Sequence, residues 1–465
     1  MLPPFDYLLT SCVSADVAMA SHAQAEALAG LRAQRLASLL DSAARGSALY
    51  RKVLAGRDPA QWCLADLPIA RKTELMEQFD GWVTDPALRL DALRDFASDS
   101  SCIADAFYGR YVVWESSGSS GEPAVFAQDA RALAVYDALE FWRGPARQRM
   151  ADPWSVGERV AFVGATGGHF ASWVSIERLR RLNPALAGSL HGVSFLQPTR
   201  ELIAELNALA PTVIATYPSV AVLLAEERLA GRLEAVPHAL WTGGEDLSAT
   251  TRAHLQKALN CRVANSYGAS EFLALASECR LGNLHLNSDW AILEAVDEHG
   301  REVPAGEAGA TTLLTNLANH VQPLIRYDLG DRVTLHAAAC ACGSHHPVID
   351  VLGRNDDSLQ LGRPGDPMVR ITPLAVSTVL EDDAGLFDFQ LEQQGPCHLL
   401  LRTGLHGEAA DASLRRARAV LSAFLVRQGA DGVHIHCRSG ETGQRGRSGK
   451  VQRVVSLLEA PAGVH

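Results

Sequence analysis

Between an apolar Val112-Val113-Trp114 run and a helical pattern over Ala130 to Phe141, the chain carries Ser116-Ser117-Gly118-Ser119-Ser120-Gly121-Glu122-Pro123. Glycines let a backbone turn its N–H groups inward and serine hydroxyls add donors, so such a run can wrap a polyphosphate. A Walker A loop needs Lys-Ser/Thr after its last glycine, and Gly121 is followed by Glu122 and Pro123. A nucleophile elbow, G-x-S-x-G, fails too, because counting from Gly118 its last glycine falls on Glu122. The competing reading is a solvated Ser/Gly linker, and the rest of the chain has to decide between the two.

Strand-like and helix-like segments alternate beyond this loop. Arg159 to Gly164, Thr212 to Tyr217, Ala239 to Thr242 and Cys261 to Asn265 read as short buried strands. They end at polar or glycine-rich turns, among them Pro218-Ser219, Gly243-Gly244-Glu245-Asp246 and Ser266-Tyr267-Gly268-Ala269-Ser270-Glu271. Helices over Val220 to Leu229 and about Ala249 to Leu259 come next, the second capped by Ser248. This βα alternation predicts a mostly parallel sheet covered by helices, with ligands beyond the carboxyl ends of the strands. Upstream, Ala15 to Leu40 has a helical composition that Leu67-Pro68-Ile69-Ala70-Arg71-Lys72-Thr73 interrupts.

After Glu271 the texture becomes β-rich, with strands over Trp290 to Val296 and Thr311 to Thr315. Gly353-Arg354-Asn355-Asp356-Asp357 reads as a junction. The C-terminal remainder has its own pattern: a helix near Leu374 to Leu380, a hairpin around Gly395-Pro396, an amphipathic helix from Ala412 to Leu425 and a strand at Val433 to His436. The fold class is therefore α/β: a large N-terminal domain, 1–353, of parallel sheet covered by helices plus a β-rich subdomain, and a small mobile α+β domain, 354–465.

A 465-residue chain with 47% hydrophobic and 20% charged residues suits a soluble protein of two or three domains. Its net charge of -11 argues against nucleic-acid and anionic-membrane partners, which select a basic surface. Nine scattered cysteines, an odd number, suit a reducing compartment. No Lys or Arg precedes Arg32 and no apolar run approaches ~18 residues, so the expected location is cytoplasmic.

Taken in order, the motifs from about Leu67 to Arg453 resemble the adenylate-forming superfamily of acyl-CoA synthetases, luciferases and peptide-synthetase adenylation domains, and most resemble its phenylacetate-CoA ligase branch. The superfamily's phosphate loop, Thr/Ser-Ser-Gly-Thr/Ser-Thr/Ser-Gly-x-Pro, matches Ser116, Ser117, Gly118, Ser119, Ser120, Gly121 and Pro123, with Glu122 at the variable position. Repulsion from phosphate turns Glu122 away from the ligand. By the same resemblance Gly243, Gly244 and Glu245 approach adenine, Tyr267 and Gly268 lie beside it, Ser270 reaches the α-phosphate and Glu271 holds Mg²⁺. One or two carboxylates are what Mg²⁺ commonly takes from a protein. Arg326-Tyr327-Asp328-Leu329-Gly330-Asp331 resembles the Tyr-x-Thr-Gly-Asp motif, which implies that Asp331 accepts the ribose hydroxyls. Arg354 contacts ribose or phosphate, Asp356 is the hinge, and Lys450 in Ser448-Gly449-Lys450-Val451-Gln452-Arg453 is the adenylation lysine.

The implied activity consumes ATP to turn a carboxylic acid, aromatic or arylacetic, into an acyl-adenylate, then passes the acyl group to coenzyme A. An amine or amino-acid acceptor, or nucleotide sensing without turnover, are the alternatives, and a homodimer is left open. His169, Phe170, Tyr217 and Ala269 are the acyl-pocket candidates. Cys279 and His285, six apart, with Cys340 and Cys342 offer three thiolates and an imidazole, sufficient for a tetrahedral structural zinc, and some members of the branch carry a metal at similar residues. His336, His345 and His346 compete with His285 for the fourth position.

Overall fold

The computed structural model describes residues 3–55, 64–116, 123–145, 157–352, 358–363, 368–386, 389–440 and 453–457. Two helices open the chain, α1 (Tyr7–Ala20) and α2 (Ala25–Gly46). The helical stretch expected over Ala15 to Leu40 is thus two helices, not one. The Ser21 hydroxyl bonds back to the Val17 carbonyl at 2.7 Å and receives the Arg143 guanidinium at 2.9 Å, which ends α1.

Strands β1 (Val112–Glu115) and β2 (Val125–Gln128) form an antiparallel hairpin. The serine-glycine loop therefore joins two strands, and the helix expected over Ala130 to Phe141 is present as Ala130–Arg143, capped by Asp129. Next in the chain is the main sheet, with β3 (Val160–Gly164), β4 (Leu190–Ser194), β5 (Val213–Thr216), β6 (Ala239–Thr242) and β7 (Arg262–Ala269) parallel to one another in the spatial order 4-3-5-6-7. Beyond β7 the sheet continues antiparallel through β8 (Phe272–Glu278) and β9 (Leu284–Leu286).

A three-stranded antiparallel sheet comprises β10 (Ala291–Val296), β11 (Thr311–Asn316) and β12 (Tyr327–Asp328). Strands β13 (Arg332–His336) and β14 (Val348–Leu352) complete the far edge of the main sheet, with β14 on β9. The C-terminal part holds a small ribbon, β15 (Leu359–Leu361) and β16 (Val369–Ile371), and a four-stranded sheet of β17 (Gln390–Gly395), β18 (His398–Thr403), β19 (His434–Ser439) and β20 (Val454–Ser456), backed by the helix Gly407–Arg427. The architecture is α/β, as the alternation predicts. No helix among the described residues is long and apolar enough to cross a membrane.

Two apolar cores hold these layers. One joins α1 and α2 to the β1–β2 hairpin, the helix Ala130–Arg143 and the antiparallel strands. Its rim is pinned by Asp289, fully buried between Arg35 and Arg143. Burial alone would push that carboxyl up, but the two guanidiniums, Arg143 foremost, hold it at about 2. The second core is continuous from the parallel strands, through Val163, Ile214 and Leu240, into the C-terminal sheet at Leu391 and Leu401 and the helix behind it at Phe424. Gln428 donates to the Leu196 carbonyl at 2.8 Å and Arg370 pairs with Glu226 across the same seam.

Candidate nucleotide-binding site

At the carboxyl ends of β5 and β6 two turns lock together. The Glu245 carboxylate accepts from the Ser219 N–H at 2.8 Å and from its hydroxyl at 2.9 Å, capping the helix Pro218–Leu229. Gly244 has φ +78°, and a Cβ there would meet the Tyr217 ring at 3.0 Å. The Gly-Gly pair thus lets the main chain lie flat beside an aromatic wall, with Tyr217 edge-on to Phe195 at 6.0 Å.

Strand β7 does not stop at Asn265. It runs on through Tyr267 to Ala269 and turns directly into β8, with a bulge between Tyr267 and Ala269. A Cβ at Gly268 would lie 1.9 Å from the Leu273 carbonyl oxygen, so only glycine fits this hairpin. The hairpin tip presents Ser270 and Glu271. It is fastened from two sides: the Trp114 indole donates to the Ser270 carbonyl at 2.8 Å, and the Asn316 amide donates to the Glu271 carbonyl at 2.8 Å.

Opposite the tip, the turn Asp328–Asp331 is closed by Asp328, which accepts from Thr311 at 2.5 Å and from the Gly330 N–H at 2.9 Å. Asp328 is therefore consumed in shaping the turn, and Asp331 is the carboxylate it presents. The Tyr267 hydroxyl donates to Asp331 at 2.9 Å and the Tyr327 hydroxyl donates to Glu271 at 3.0 Å. Burial raises the Glu271 pKa above the usual glutamate range, opposed by the Tyr327 bond and reinforced by the charge of Asp331. Two carboxylates within electrostatic reach of each other, each accepting from a tyrosine hydroxyl, form a site that attracts a hard cation or a sugar diol.

The base of the serine-glycine loop closes on Ser116: its N–H donates to the Ala124 carbonyl at 2.8 Å and its Oγ accepts from the Ala124 N–H at 2.9 Å. Residues Ser117, Gly118, Ser119, Ser120, Gly121 and Glu122 lie outside the described residues, as do Arg354, Asp356 and Lys450.

Sequence reasoning left Lys72 without a role. Ala70 pairs in parallel with Tyr327, donating to the Arg326 carbonyl at 3.0 Å and accepting from the Asp328 N–H at 2.9 Å. Arg326, buried at φ +50°, grips the same segment through the carbonyls of Ala65 at 3.0 Å and Leu67 at 2.6 Å while pairing with Glu294 at 3.1 Å. Lys72 is thereby carried to within electrostatic reach of Glu271, whose pKa its charge lowers. A signal existed: the chain has only four lysines among 42 basic residues, Lys52, Lys72, Lys257 and Lys450.

Among the acyl-pocket candidates, Tyr217 lines the Gly244 turn and Ala269 ends β7. His169 is buried with its ring 5.6 Å from Phe96, and burial lowers its pKa, which favours the neutral imidazole. Its carbonyl accepts from the Glu115 N–H at 2.8 Å, placing Phe170 beside the end of β1.

The structure brings Cys279, His285, Cys340 and Cys342 together, with all four ligating atoms within 4.8 Å of one another. His285 Nδ1 lies 2.8 Å from the His346 carbonyl, which can only accept, so the lone pair is left on Nε2, facing Cys342 Sγ at 3.4 Å. The Cys342 N–H and then the Asn283 amide pull the Cys340 thiol down to about 6. Of the competing histidines, His336 binds Asp350 at 2.7 Å and His346 faces Ser288 at 3.3 Å. Three sulfurs and one imidazole nitrogen in this cluster are a tetrahedral zinc donor set.

No protein-family model matches the chain. A segment of 167 residues is 29% identical to protein CapK of Staphylococcus aureus, covering 35% of this chain and 36% of that protein. Over nearly the whole length the structure is similar to a 2-hydroxyisobutyryl-CoA ligase. In its complex with 2-HIB-AMP and CoA in the thioesterification state the TM-score is 0.56 at 21% identity, over 94% of this chain and 91% of that one. In its open conformation with the same ligands the TM-score is 0.51 at 21% identity, over 91% and 90%. The chain has the fold of the adenylate-forming acyl-CoA ligases.

Proposed function

We propose that this protein activates a carboxylic acid, aromatic or arylacetic, with ATP and transfers the acyl group to coenzyme A. The reading is carried by one observation: Glu271 and Asp331, far apart in sequence, converge with a tyrosine on each, beside a hairpin tip tied to the strand that enters the serine-glycine loop. The 2-hydroxyisobutyryl-CoA ligase, whose complexes hold an acyl-AMP and CoA, supports this order of steps.

In the first half-reaction the substrate carboxylate attacks the α-phosphorus of ATP, and the bond to the pyrophosphate oxygen breaks. Ser116 to Gly121 hold the departing phosphates, Asp331 fixes the ribose, Ser270 contacts the α-phosphate, and Lys450 stabilises the charge that builds between carboxylate and phosphate. Lys72 adds a second cation on the side of Glu271. Glu271 would hold Mg²⁺, which when bound would supply charge neutralisation at the phosphates. In the second half-reaction the 354–465 domain rotates about Asp356 and withdraws Lys450. The thiolate of coenzyme A then attacks the acyl carbonyl and AMP leaves. Tyr217, Phe170, His169 and Ala269 surround the acyl group. Cys279, His285, Cys340 and Cys342 would hold a zinc in a structural role, clipping together the segments that carry them.

The test is pyrophosphate release over a panel of benzoic, arylacetic and short hydroxy acids, with product masses taken with and without coenzyme A. Release with at least one aromatic acid and a CoA-thioester product is expected. Silence across the panel overturns the reading, and an amide product replaces coenzyme A with an amine acceptor.

A further inference from the structure

Helix α1 is apolar on both sides. Val13, Val17 and Ala20 are buried on the side that packs on the helix Ala130–Arg143. On the outer side Tyr7, Leu8 and Met19 are 79%, 81% and 70% exposed, flanked by Phe5 at 41% and, on the neighbouring helix, by Phe141 at 41%. Ser11, Cys12 and Ala15, the outward positions between them, are exposed and small. Asp16, the one charged residue within α1, pairs with Arg35 of α2, so the outer stripe carries no charge over the whole helix.

A helix that carries large apolar side chains on its outer face as well as its inner one is normally covered on both. The 14 residues of α1 span only ~21 Å, too short for a bilayer. A helix lying on an anionic membrane carries Lys or Arg along its polar face, whereas the first basic residue of this chain is Arg32 and its net charge is -11. A partner that docks through charge would find only Asp6, at the N-cap, whose carboxylate already accepts from the Leu9 N–H at 3.0 Å.

We propose that α1 is a homodimerisation helix, packing antiparallel against α1 of a second copy about a two-fold axis between Cys12 and Ala15. The stripe is its own complement in this register. Leu8 faces the partner's Met19, Cys12 faces the partner's Ala15, and the small central residues let the helix axes approach to ~8–10 Å. Taking ~200 Å² for each large side chain, the five exposed residues present about 600 Å² of apolar surface, some three quarters of the ~800 Å² per partner in a stable interface. The proposal does not depend on the catalytic reading.

Sedimentation equilibrium of the full chain from about 1 to 100 µM tests it. A dimer is expected, and Leu8→Glu with Met19→Glu places four carboxylates at the seam and weakens association by about 100-fold or more, with the far-UV circular dichroism unchanged. A monomer at 100 µM overturns the proposal, and so does a double variant that remains fully dimeric. Because that variant could misfold, Cys12 supplies an independent measure. A bismaleimide of ~8–13 Å span should join two wild-type chains, the joined species should vanish in Cys12→Ser, and a dimer that cannot be joined through Cys12 overturns the proposed register. Co-sedimentation of monomeric protein with phosphatidylglycerol vesicles also overturns it, assigning the stripe to a membrane surface.

Discussion

The Trp114 indole N–H donates to the main-chain carbonyl of Ser270 at 2.8 Å, across 156 residues of sequence. The strand that delivers the serine-glycine loop and the hairpin tip that carries Ser270 and Glu271 are thus one mechanical unit. Trp114→Phe keeps most of the buried volume and removes only the donor, at a cost of about 1–3 kcal/mol for the orphaned carbonyl. The expected result is a KM for ATP raised about 3- to 10-fold with the KM for acid unchanged, read by steady-state pyrophosphate release. Equal changes in both would mean that the bond serves the core alone.

Lys450→Ala separates the two half-reactions. ATP–pyrophosphate exchange should fall by about 100-fold or more, while thioester formation from a supplied acyl-adenylate stays within about threefold of wild type. Normal exchange in this variant removes Lys450 from the adenylation step.

Glu271 titrates above the usual glutamate range because burial disfavours its charge, and the Tyr327 bond pulls it back part of the way. Protons therefore compete with Mg²⁺ on the acid side: as pH falls through the raised pKa, the apparent KM for Mg²⁺ should rise by up to about tenfold per unit. Tyr327→Phe deletes a lowering interaction, so its acid limb should lie at higher pH than that of wild type. A limb that moves down or stays in place contradicts the assignment of Glu271 as the cation ligand.

Lys72→Met keeps a long side chain and loses the charge. The KM for ATP should rise about tenfold, and the acid limb should move up slightly, since the Lys72 charge lowers the Glu271 pKa. Lys52→Met, on the short helix Ala48–Val53, is the control and should change neither.

Metal analysis of the purified protein should return about one zinc per chain. Stripping it with a strong chelator should lower the melting temperature by about 5–10 °C, reversibly on zinc addition. Cys340→Ser should bind less than half an equivalent. A wild-type protein that holds no zinc, and whose melting is indifferent to chelator, refutes the metal centre.

The parallel strands were legible because Val160 to Val163 and Ala239 to Thr242 are compact apolar runs punctuated by glycine, proline or serine. Cys340-x-Cys342 was legible by spacing, but the structure selects His285 by bringing its ring among the three sulfurs, oriented by a main-chain carbonyl that no sequence pattern displays. Other features depended on tertiary partners. Tyr267 to Glu271 reads as a turn because it is rich in small and polar residues, yet β8 pairs with it and extends β7 to Ala269. Strand β4 is half-buried at the sheet edge and its Leu190-His191-Gly192 lacks an apolar run. Arg326 stands just before the Tyr-x-Thr-Gly-Asp-like motif and has no signal of its own, because its grip on Ala65 and Leu67 crosses some 260 residues. Lys72 was hidden for the same reason.

The second core runs without a break from the parallel strands into the C-terminal sheet, through side chains on both. The two parts therefore do not meet as finished, water-ready surfaces. Residues 1–352 expressed alone would carry a raw apolar flank and should aggregate, and any turning of the C-terminal part during the reaction must wet some of that flank. Wetting apolar surface changes heat capacity. The rate of a step limited by such turning should therefore bend away from a straight Arrhenius line, while the chemistry of adenylyl transfer in the same protein should not.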